Sequence, residues 1–481
     1  TANTFANCTY SRMSGNNLRC GDVSARTDTR NDTNNQWGSK MIKQSLFAAT
    51  ALTLSLAAPA AYAQTEIQWW HAMGGRLGEL VEEIAANFNA SQSDYVVRPS
   101  FRGTYTETMT GAIAAFRAGE QPHIVQVFEV GTGTMMAAEG AIVPIYELMA
   151  DNNVEFDPSA YLPAVVGYYT DPAGNMLSFP FNSSTPIVYY NRDIFEAAGL
   201  NPDQPPVTWA DVESMSNQII SAGAATCGFT TRWPSWVQLE NFLAWHNLPL
   251  GTQQNGFGGF DTELILNQQA PLIRHWENLA RWQSEGVFSW AGGGAGPDAG
   301  PKFYSGECAM MMESSAGRAG VLSNADFSVG YGMLPYYDDV AGAPQNSIIG
   351  GATLWALAGR DQADYAGVAQ FFEFLSRPEN QAWWHQNTGY LPITNAAATL
   401  TAEQGYYAAN PGADLSIQQI NLNPPTESSR GLRFGNFVQI RDVISEEMEA
   451  MITGAKSAQA AADAIVERGN RLLRDFEATI Q

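Results

Sequence analysis

The segment that most restricts the fold lies well inside the chain, between residues 179 and 199. It opens with a polar cluster, residues 182–185, whose side chains can hydrogen-bond exposed backbone groups where the chain turns. Residues 187–190 are β-branched or aromatic and predict a short buried strand. Asn191 can cap the helix that follows, and Gly199 can end it. The segment therefore predicts an α/β crossover in the interior of the chain.

Predicted strands alternate with predicted helices on both sides of this crossover. Runs of β-branched and aromatic residues indicate strands over 66–73, 95–101, 124–128, 187–190, 227–231, 309–312 and 348–357. Apolar spacing and capping residues indicate helices over 76–88, 107–117, 193–198, 272–283, 365–375, 437–452 and 457–476. This alternation predicts mostly parallel sheets with helices on both faces, and such sheets bind ligands where strands end.

The first 63 residues are not expected to belong to the folded part. Residues 1–40 are rich in Asn, Thr, Arg and Ser, which is typical of a disordered leader or of added sequence. Residues 41–63 have a basic start, an apolar run and a small-residue cleavage site, the pattern of a secretory signal peptide. A membrane anchor is the alternative, but the apolar run at 46–60 is shorter than the ~20 residues that span a bilayer. The mature chain, 64–481, is too long for one hydrophobic core and suits two lobes.

The charge of the mature chain restricts its partners. Its net charge is near −26, from 19 Lys and Arg against 45 Asp and Glu. Such a charge argues against nucleic acid and anionic membrane surfaces as partners. A small anionic ligand is still compatible, because a local site can oppose the global sign. With the export signal, this predicts a soluble periplasmic or secreted protein.

Two cysteines remain in the mature chain, Cys227 and Cys308, while Cys8 and Cys20 fall in the leader. An exported protein with two cysteines can form one disulfide. Two buried free thiols are equally compatible, because nothing in the sequence fixes their separation.

The sequence carries no motif for catalysis or for a cofactor. Its five histidines are scattered without metal-ligand spacing, and it lacks a Gly-x-Ser-x-Gly elbow, a phosphate loop and a dinucleotide-binding glycine pattern. We therefore predict no enzyme activity, no metal and no cofactor. A secreted glycoside hydrolase with paired carboxylates is the alternative in so acidic a chain. Glu129 is the strongest binding candidate from the residues alone, because it directly follows an apolar strand.

Several strings of the mature chain resemble the solute-binding proteins of bacterial ABC importers. Residues 372–393 are typical of the members that bind sugars and polyols. The strings that resemble the members binding glycerol phosphates lie at 70–73, 113–117, 126–130, 181–186, 348–352 and 431–436. The resemblance is collinear over the mature chain. It implies an α/β fold of two interleaved lobes with several hinge crossings, at 179–187, 331–335 and 389–393.

The resemblance also implies lobe boundaries and partners. The first lobe would take residues 64–181 and 335–391, and the second lobe 182–334 and 392–481. Such a protein is expected to be a monomer that closes on its ligand by hinge rotation. It would then deliver the ligand to an inner-membrane permease and its ATPase. The expected ligand is sn-glycerol-3-phosphate or a glycerophosphodiester such as glycerophosphocholine, and a sugar or oligosaccharide is the alternative.

Positions that match the family's ligand contacts give the predicted site: Tyr105, Glu129, Ser184, Ser314, Gly351, Tyr390 and Arg441, with Trp233 and Trp236 as the wall against the glycerol carbons. On this resemblance Arg441 would hold the phosphate together with the Ser, Tyr and Gly groups, because a guanidinium fork suits phosphate oxygens. Glu129 would accept hydrogen bonds from the glycerol hydroxyls.

Some of these assignments have competing explanations. Without the resemblance, Arg441 cannot be chosen over Arg430 and Arg433, any of which could form a surface salt bridge. Tyr105 and Tyr390 could be ordinary interface aromatics. The two tryptophans, at i and i+3, are more often core packing than a ligand wall. Glu313 stands where a small residue is expected, and strand alternation should turn it away from Ser314 and the cleft.

Overall fold

The computed structural model describes residues 64–138 and 140–480. The predicted leader and signal peptide, with Cys8 and Cys20, lie outside the described residues. The strands of the described part are β1 Thr65–His71, β2 Tyr95–Phe101, β3 Ile124–Phe128, β4 Ile142–Val143, β5 Phe179–Ser184, β6 Pro186–Asn191, β7 Cys227–Thr231, β8 Cys308–Ser314, β9 Val329–Gly332 and β10 Gly350–Leu357.

The helices surround two separate sheets. They are α1 Gly75–Ser91, α2 Tyr105–Ala118, α3 Thr132–Met136, α4 Ile145–Asp151, α5 Pro163–Tyr169, α6 Arg192–Ala197, α7 Trp209–Ser221, α8 Asn241–Trp245, α9 Thr252–Asn255, α10 Ala270–Glu285, α11 Ala299–Tyr304, α12 Arg318–Asn324, α13 Gln362–Ser376, α14 Pro378–Thr388, α15 Asn395–Glu403, α16 Tyr406–Ala409, α17 Leu415–Ile420, α18 Phe437–Ile452 and α19 Ala458–Ile480. Capping boxes at Thr104 and Thr208 satisfy the first backbone N–H groups of α2 and α7 and so fix where these helices begin.

The first sheet has the order β2-β1-β3-β10-β4, and β5 pairs with β10. The second sheet has the order β7-β8-β6-β9. Strand β1 is parallel to β2 and β3, and β7 is parallel to β8, but β10 and β6 run antiparallel to all their neighbours. The expectation of mostly parallel sheets is therefore wrong. Strands β6 and β10 enter their sheets from crossing segments, so the βαβ connection that imposes parallel pairing is missing.

The chain passes from the first sheet to the second at a single residue, Thr185. Strand β5 ends at Ser184, which pairs with Gly350 of β10. Strand β6 begins at Pro186, which pairs with Ser314 of β8. The backbone N–H of Ser315 donates to the Thr185 carbonyl over 2.8 Å, which ties the crossing to the end of β8. The crossing expected at 331–335 begins inside the second sheet, since β9 pairs with β6 up to Gly332.

Aromatic side chains fill the core beside each sheet. In the first, Trp69 of β1 packs against Phe371 of α13 with ring centres 5.5 Å apart. In the second, Phe229 of β7 packs against Trp209 of α7 and Trp282 of α10, at 6.0 and 5.9 Å. These rings are fully buried and account for a large part of the apolar area removed from water.

A disulfide joins Cys227 and Cys308, which decides the alternative that the sequence left open. The two cysteines are direct partners in the register of β7 and β8, with Cα atoms 4.3 Å apart. The bridge closes a sequence separation of 81 residues within the second sheet.

Candidate functional site

A buried ion cluster stands at the end of β3. Glu129 begins a 3₁₀ turn directly after β3, and its carboxylate accepts a hydrogen bond from Arg441 Nη2 of α18 over 2.5 Å. Glu240 accepts from Arg441 Nε and Nη2, both over 2.7 Å. Ser235 donates its hydroxyl to Glu240 over 2.8 Å. One guanidinium is thus bound by two carboxylates.

The charges of this cluster depend on one another. Burial raises the pKa of Glu129, and the Arg441 guanidinium opposes that rise. Burial lowers the pKa of Arg441, but Glu129 and Glu240 outweigh that effect, and the pKa of the guanidinium is raised. Arg441 therefore stays cationic. With both carboxylates ionised, the cluster has a formal charge of −1.

A second group of contacts surrounds the phenol of Tyr105, which lies close to the phenol of Tyr390. Asn182 of β5 donates to the Tyr105 hydroxyl over 3.1 Å, and Gln126 of β3 orients Asn182 by a 2.9 Å hydrogen bond. The Tyr105 ring stacks on Phe128 with an interplanar angle of 4°. Burial raises the pKa of Tyr390 to about 12 and that of Tyr105 well above its usual value. Both phenols are therefore neutral hydrogen-bond donors at neutral pH.

The glycine pair at the start of β10 allows two close approaches. Gly351 has φ +100°, and a Cβ there would lie 1.9 Å from the Asn182 carbonyl oxygen. A Cβ on Gly350 would lie 2.4 Å from the Trp236 ring. Because Gly350 has no side chain, the Trp236 ring packs directly on the Gly350 backbone. Ser184 is the strand partner of Gly350, so the ring also lies beside Ser184. The missing side chains of the two glycines thus make both close approaches possible.

The remaining predicted residues gather around Glu313. Trp233 donates its indole N–H to Glu313 over 3.1 Å, and Arg232 forms an ion pair with the same carboxylate over 3.0 Å. The backbone N–H of Ser314 donates to Glu313 over 2.7 Å, and the Ser314 hydroxyl accepts from Ala316. Glu313 is thus buried and neutralised by an arginine, which accounts for a carboxylate where a small residue was expected.

These groups are neighbours. Glu129 and Glu313 both contribute to the raised pKa of Tyr390, so this phenol lies within electrostatic reach of both carboxylates. Glu129 also contributes to the raised pKa of Tyr105. Ser184 and Ser314 flank the crossing at Thr185 in the two sheets. The structure therefore brings the predicted residues into one region at the junction of the sheets.

Arg430 and Arg433, the competitors of Arg441, have partners other than the Glu129 carboxylate. Arg433 donates to the carbonyls of Gly167 and Tyr168 at the end of α5, over 3.3 and 2.6 Å. Both arginines lie over the Phe257 ring, at 4.4 and 4.2 Å. Arg433 thus caps a helix end, which leaves Arg441 as the guanidinium beside Glu129.

Sequence reasoning missed Glu240, Asn182 and Gln126 as individual site residues. Glu240 ends a π-helical turn, Trp236–Glu240, and is only 1% exposed. A carboxylate in the mainly apolar stretch 236–245 was a usable signal, because a buried charge needs a partner. Gln126 inside β3 and Asn182 inside β5 gave a similar signal, because a buried polar side chain also needs a hydrogen-bond partner.

The described residues also limit what else the chain could do. Among residues 64–138 and 140–480, no helix combines the length and apolar character needed to cross a bilayer. The same residues contain no group of three or more His, Cys, Asp or Glu side chains placed to bind a metal ion.

The structure has two mixed sheets, and the chain crosses between them at Thr185. Polar groups lie at this junction, which is the arrangement of a two-lobed ligand-binding protein. The chain belongs to the bacterial extracellular solute-binding protein family, whose model matches residues 83–413. A relative from Pectobacterium atrosepticum, named sn-glycerol-3-phosphate-binding periplasmic protein UgpB, is 48% identical over 431 residues, or 89% of this chain and 96% of its own. A protein of the same name from Escherichia coli O6:K15:H31 (strain 536) is 47% identical over 90% of this chain and 98% of its own.

Solved structures have the same fold at lower identity. UgpB from Mycobacterium tuberculosis, in complex with glycerophosphocholine, superposes with a TM-score of 0.70 at 22% identity, over 86% of this chain and 99% of its own. The cyclic α-maltosyl-1,6-maltose binding protein from Arthrobacter globiformis has a TM-score of 0.67 at 20% identity, over 86% and 100%. At this identity, the likeness concerns the fold.

Proposed function

We propose that the chain is the substrate-binding subunit of an ABC importer and captures sn-glycerol-3-phosphate, or a glycerophosphodiester such as glycerophosphocholine, between its lobes. The observation that carries this proposal is the chemical asymmetry of the site. One side offers neutral hydroxyl and amide donors, and the other a buried Glu129–Arg441–Glu240 cluster. A phosphorylated polyol has the matching asymmetry, an anionic end and an uncharged diol end. The names of the relatives point to the same ligand.

The phosphate would occupy the side with the neutral donors. Tyr105, Tyr390, Ser184 and Ser314 supply hydroxyls there, and Gly351 exposes its backbone where no side chain could fit. Hydrogen bonds from such groups to an ionised oxygen are stronger than neutral ones. No hydrogen bond among the described residues uses the Ser184 hydroxyl, so it is available to a ligand.

The glycerol hydroxyls would occupy the side with the ion cluster. Glu129 can accept a hydrogen bond from a hydroxyl, while Arg441 Nη1 can donate one, because its other N–H groups already serve the two carboxylates. This changes the role expected for Arg441. A guanidinium bound by two carboxylates presents a net negative cluster, which would repel a phosphate dianion and suits a neutral diol.

The remaining parts of the proposal follow from the family and from the names of the relatives. The protein would be exported to the periplasm by residues 41–63 and act there as a monomer without catalytic activity. Its lobes would comprise residues 64–181 with 335–391, and 182–334 with 392–481. Trp233 and Trp236 would pack on the ligand carbons. The closed form would pass its ligand to a membrane permease driven by an ATPase.

Isothermal titration calorimetry tests the proposal directly. The purified protein is titrated with sn-glycerol-3-phosphate, glycerophosphocholine and maltose, and each ligand is recovered and checked for hydrolysis. We expect one-to-one binding of at least one phosphorylated ligand, no binding of maltose and no turnover. Binding of maltose alone would show that the ligand is a sugar and not a phosphorylated polyol. Turnover of a glycoside would show that the protein is an enzyme.

A further inference from the structure

Glu240 is the residue of the ion cluster that the ligand assignment above does not use. Its two oxygens each accept one hydrogen bond from Arg441, in the parallel two-pronged arrangement of a carboxylate with a guanidinium. Its side chain is only 1% exposed, against 6% for Glu129 and 16% for Arg441. It therefore lies on the protein side of the arginine, and Ser235 fixes it there by a further hydrogen bond.

We propose that Glu240 is a positioning and specificity-determining residue that holds Arg441 in place and makes the diol end of the site negative. The inference rests on the proposed function and deepens it. It states which ligands this end rejects, namely phosphorylated three-carbon acids that carry a carboxylate in place of the terminal hydroxymethyl group.

The positioning role follows from how the donors of the guanidinium are used. Glu240 takes Nε and one N–H of Nη2, and Glu129 takes the other N–H of Nη2. Because a guanidinium is planar, these bonds fix the direction of both Nη1 N–H groups. Ordering a long side chain in advance removes part of the entropy cost of binding. Glu240 thus prepares Arg441 to meet a ligand hydroxyl.

The specificity follows from the charge of the cluster. A lone Arg441–Glu129 pair would be neutral and could accept an anionic group at the diol end. Glu240 adds a second carboxylate to the single guanidinium, so the formal charge of the cluster is −1 in a region shielded from water. Like charges repel strongly in such surroundings, so an additional carboxylate on the ligand is disfavoured while hydroxyls are tolerated.

The test compares two ligands on the same variant. sn-Glycerol-3-phosphate and 3-phosphoglycerate differ at the terminal carbon, and the ratio of their dissociation constants does not depend on the folded fraction of the sample. We expect Glu240→Gln to lower the wild-type preference for glycerol-3-phosphate by about 50-fold, the size of the effect of one charge roughly 7 Å away at an effective dielectric of about 20. We expect Glu240→Asp, which keeps the charge but shortens the reach, to weaken glycerol-3-phosphate binding and leave the ratio near wild type.

Two controls separate this role from a general structural one. Ser235→Ala removes a contact to Glu240 without changing charge, and Glu447→Gln removes another buried, ion-paired glutamate that Arg468 contacts over 2.9 Å. Both should leave the ratio unchanged. An unchanged ratio in Glu240→Gln, or an equal fall in Glu447→Gln, overturns the inference while the proposed function stands. If the wild type binds neither ligand, the proposed function fails and the inference fails with it.

Discussion

Replacing Arg441 by Ala removes the only cation of the Glu129–Arg441–Glu240 cluster and should affect stability and binding separately. Three hydrogen bonds of 2.5 to 2.7 Å disappear, and two nearly buried carboxylates lose their partner. Breaking a buried ion pair from one side costs about 3–5 kcal/mol. For a domain of this size, a loss of about 4 kcal/mol corresponds to a decrease of roughly 5 °C in Tm.

The same substitution removes the donor that we assign to a ligand hydroxyl. A hydrogen bond to a charged group contributes about 1.5–3 kcal/mol, so the affinity for glycerol-3-phosphate should fall by about 100-fold or beyond detection. Calorimetry at a temperature well below the lowered Tm measures the affinity of the folded variant. Arg468→Ala is the control, because Arg468 also bridges two glutamates, Glu446 and Glu447, and contacts neither Glu129 nor Glu240 in the hydrogen bonds of the described residues. Near-normal affinity in Arg441→Ala would refute the assignment of this residue to the site.

Three further predictions concern the stability of the folded protein. Replacing Cys227 and Cys308 by Ser opens a loop of 81 residues and should lower the free energy of unfolding by about 4–5 kcal/mol, seen as a lower urea midpoint; an unchanged midpoint would show that the bridge does not form. Burial lowers the pKa of His246 to about 4 and that of His275 well below its usual value, so both are neutral in the folded protein. Because the unfolded chain binds these protons near pH 6.5, the contribution of the two rings to stability should be constant above that pH and be lost as the pH drops from 6.5 towards 4; NMR titration of either ring with a pKa near 6.5 in the folded protein would contradict this. Gly351→Ala places a Cβ 1.9 Å from a backbone oxygen at φ +100° and should lower both Tm and ligand affinity, and a wild-type melting curve would contradict the strain argument.

Local patterns predicted the elements well where the signal lies within one stretch of sequence. The strands over 124–128 and 227–231 and the helix over 437–452 have the bounds expected from their residues. The crossing after residue 182 was visible for the same reason, because turn chemistry is a local property.

Strand direction and long-range pairing were not accessible in this way. The parallel or antiparallel sense of β6 and β10 depends on how the chain returns to each sheet, and no residue in either strand specifies it. Glu240 and Arg441 are 201 positions apart, and no local pattern around Glu240 indicates which residue it pairs with. The resemblance to a family supplied Arg441, but its two carboxylate partners, and hence its role, required the three-dimensional arrangement.

A crystal structure of the protein with sn-glycerol-3-phosphate would test the proposed orientation of the ligand, because it shows which end of the ligand lies at which side of the site. We predict that the glycerol hydroxyls lie within hydrogen-bond distance of Glu129 and Arg441. The phosphate oxygens should accept hydrogen bonds from the hydroxyls of Tyr105, Ser184, Ser314 or Tyr390. A phosphate bound directly to Arg441, or a ligand away from the junction of the two sheets, would contradict it.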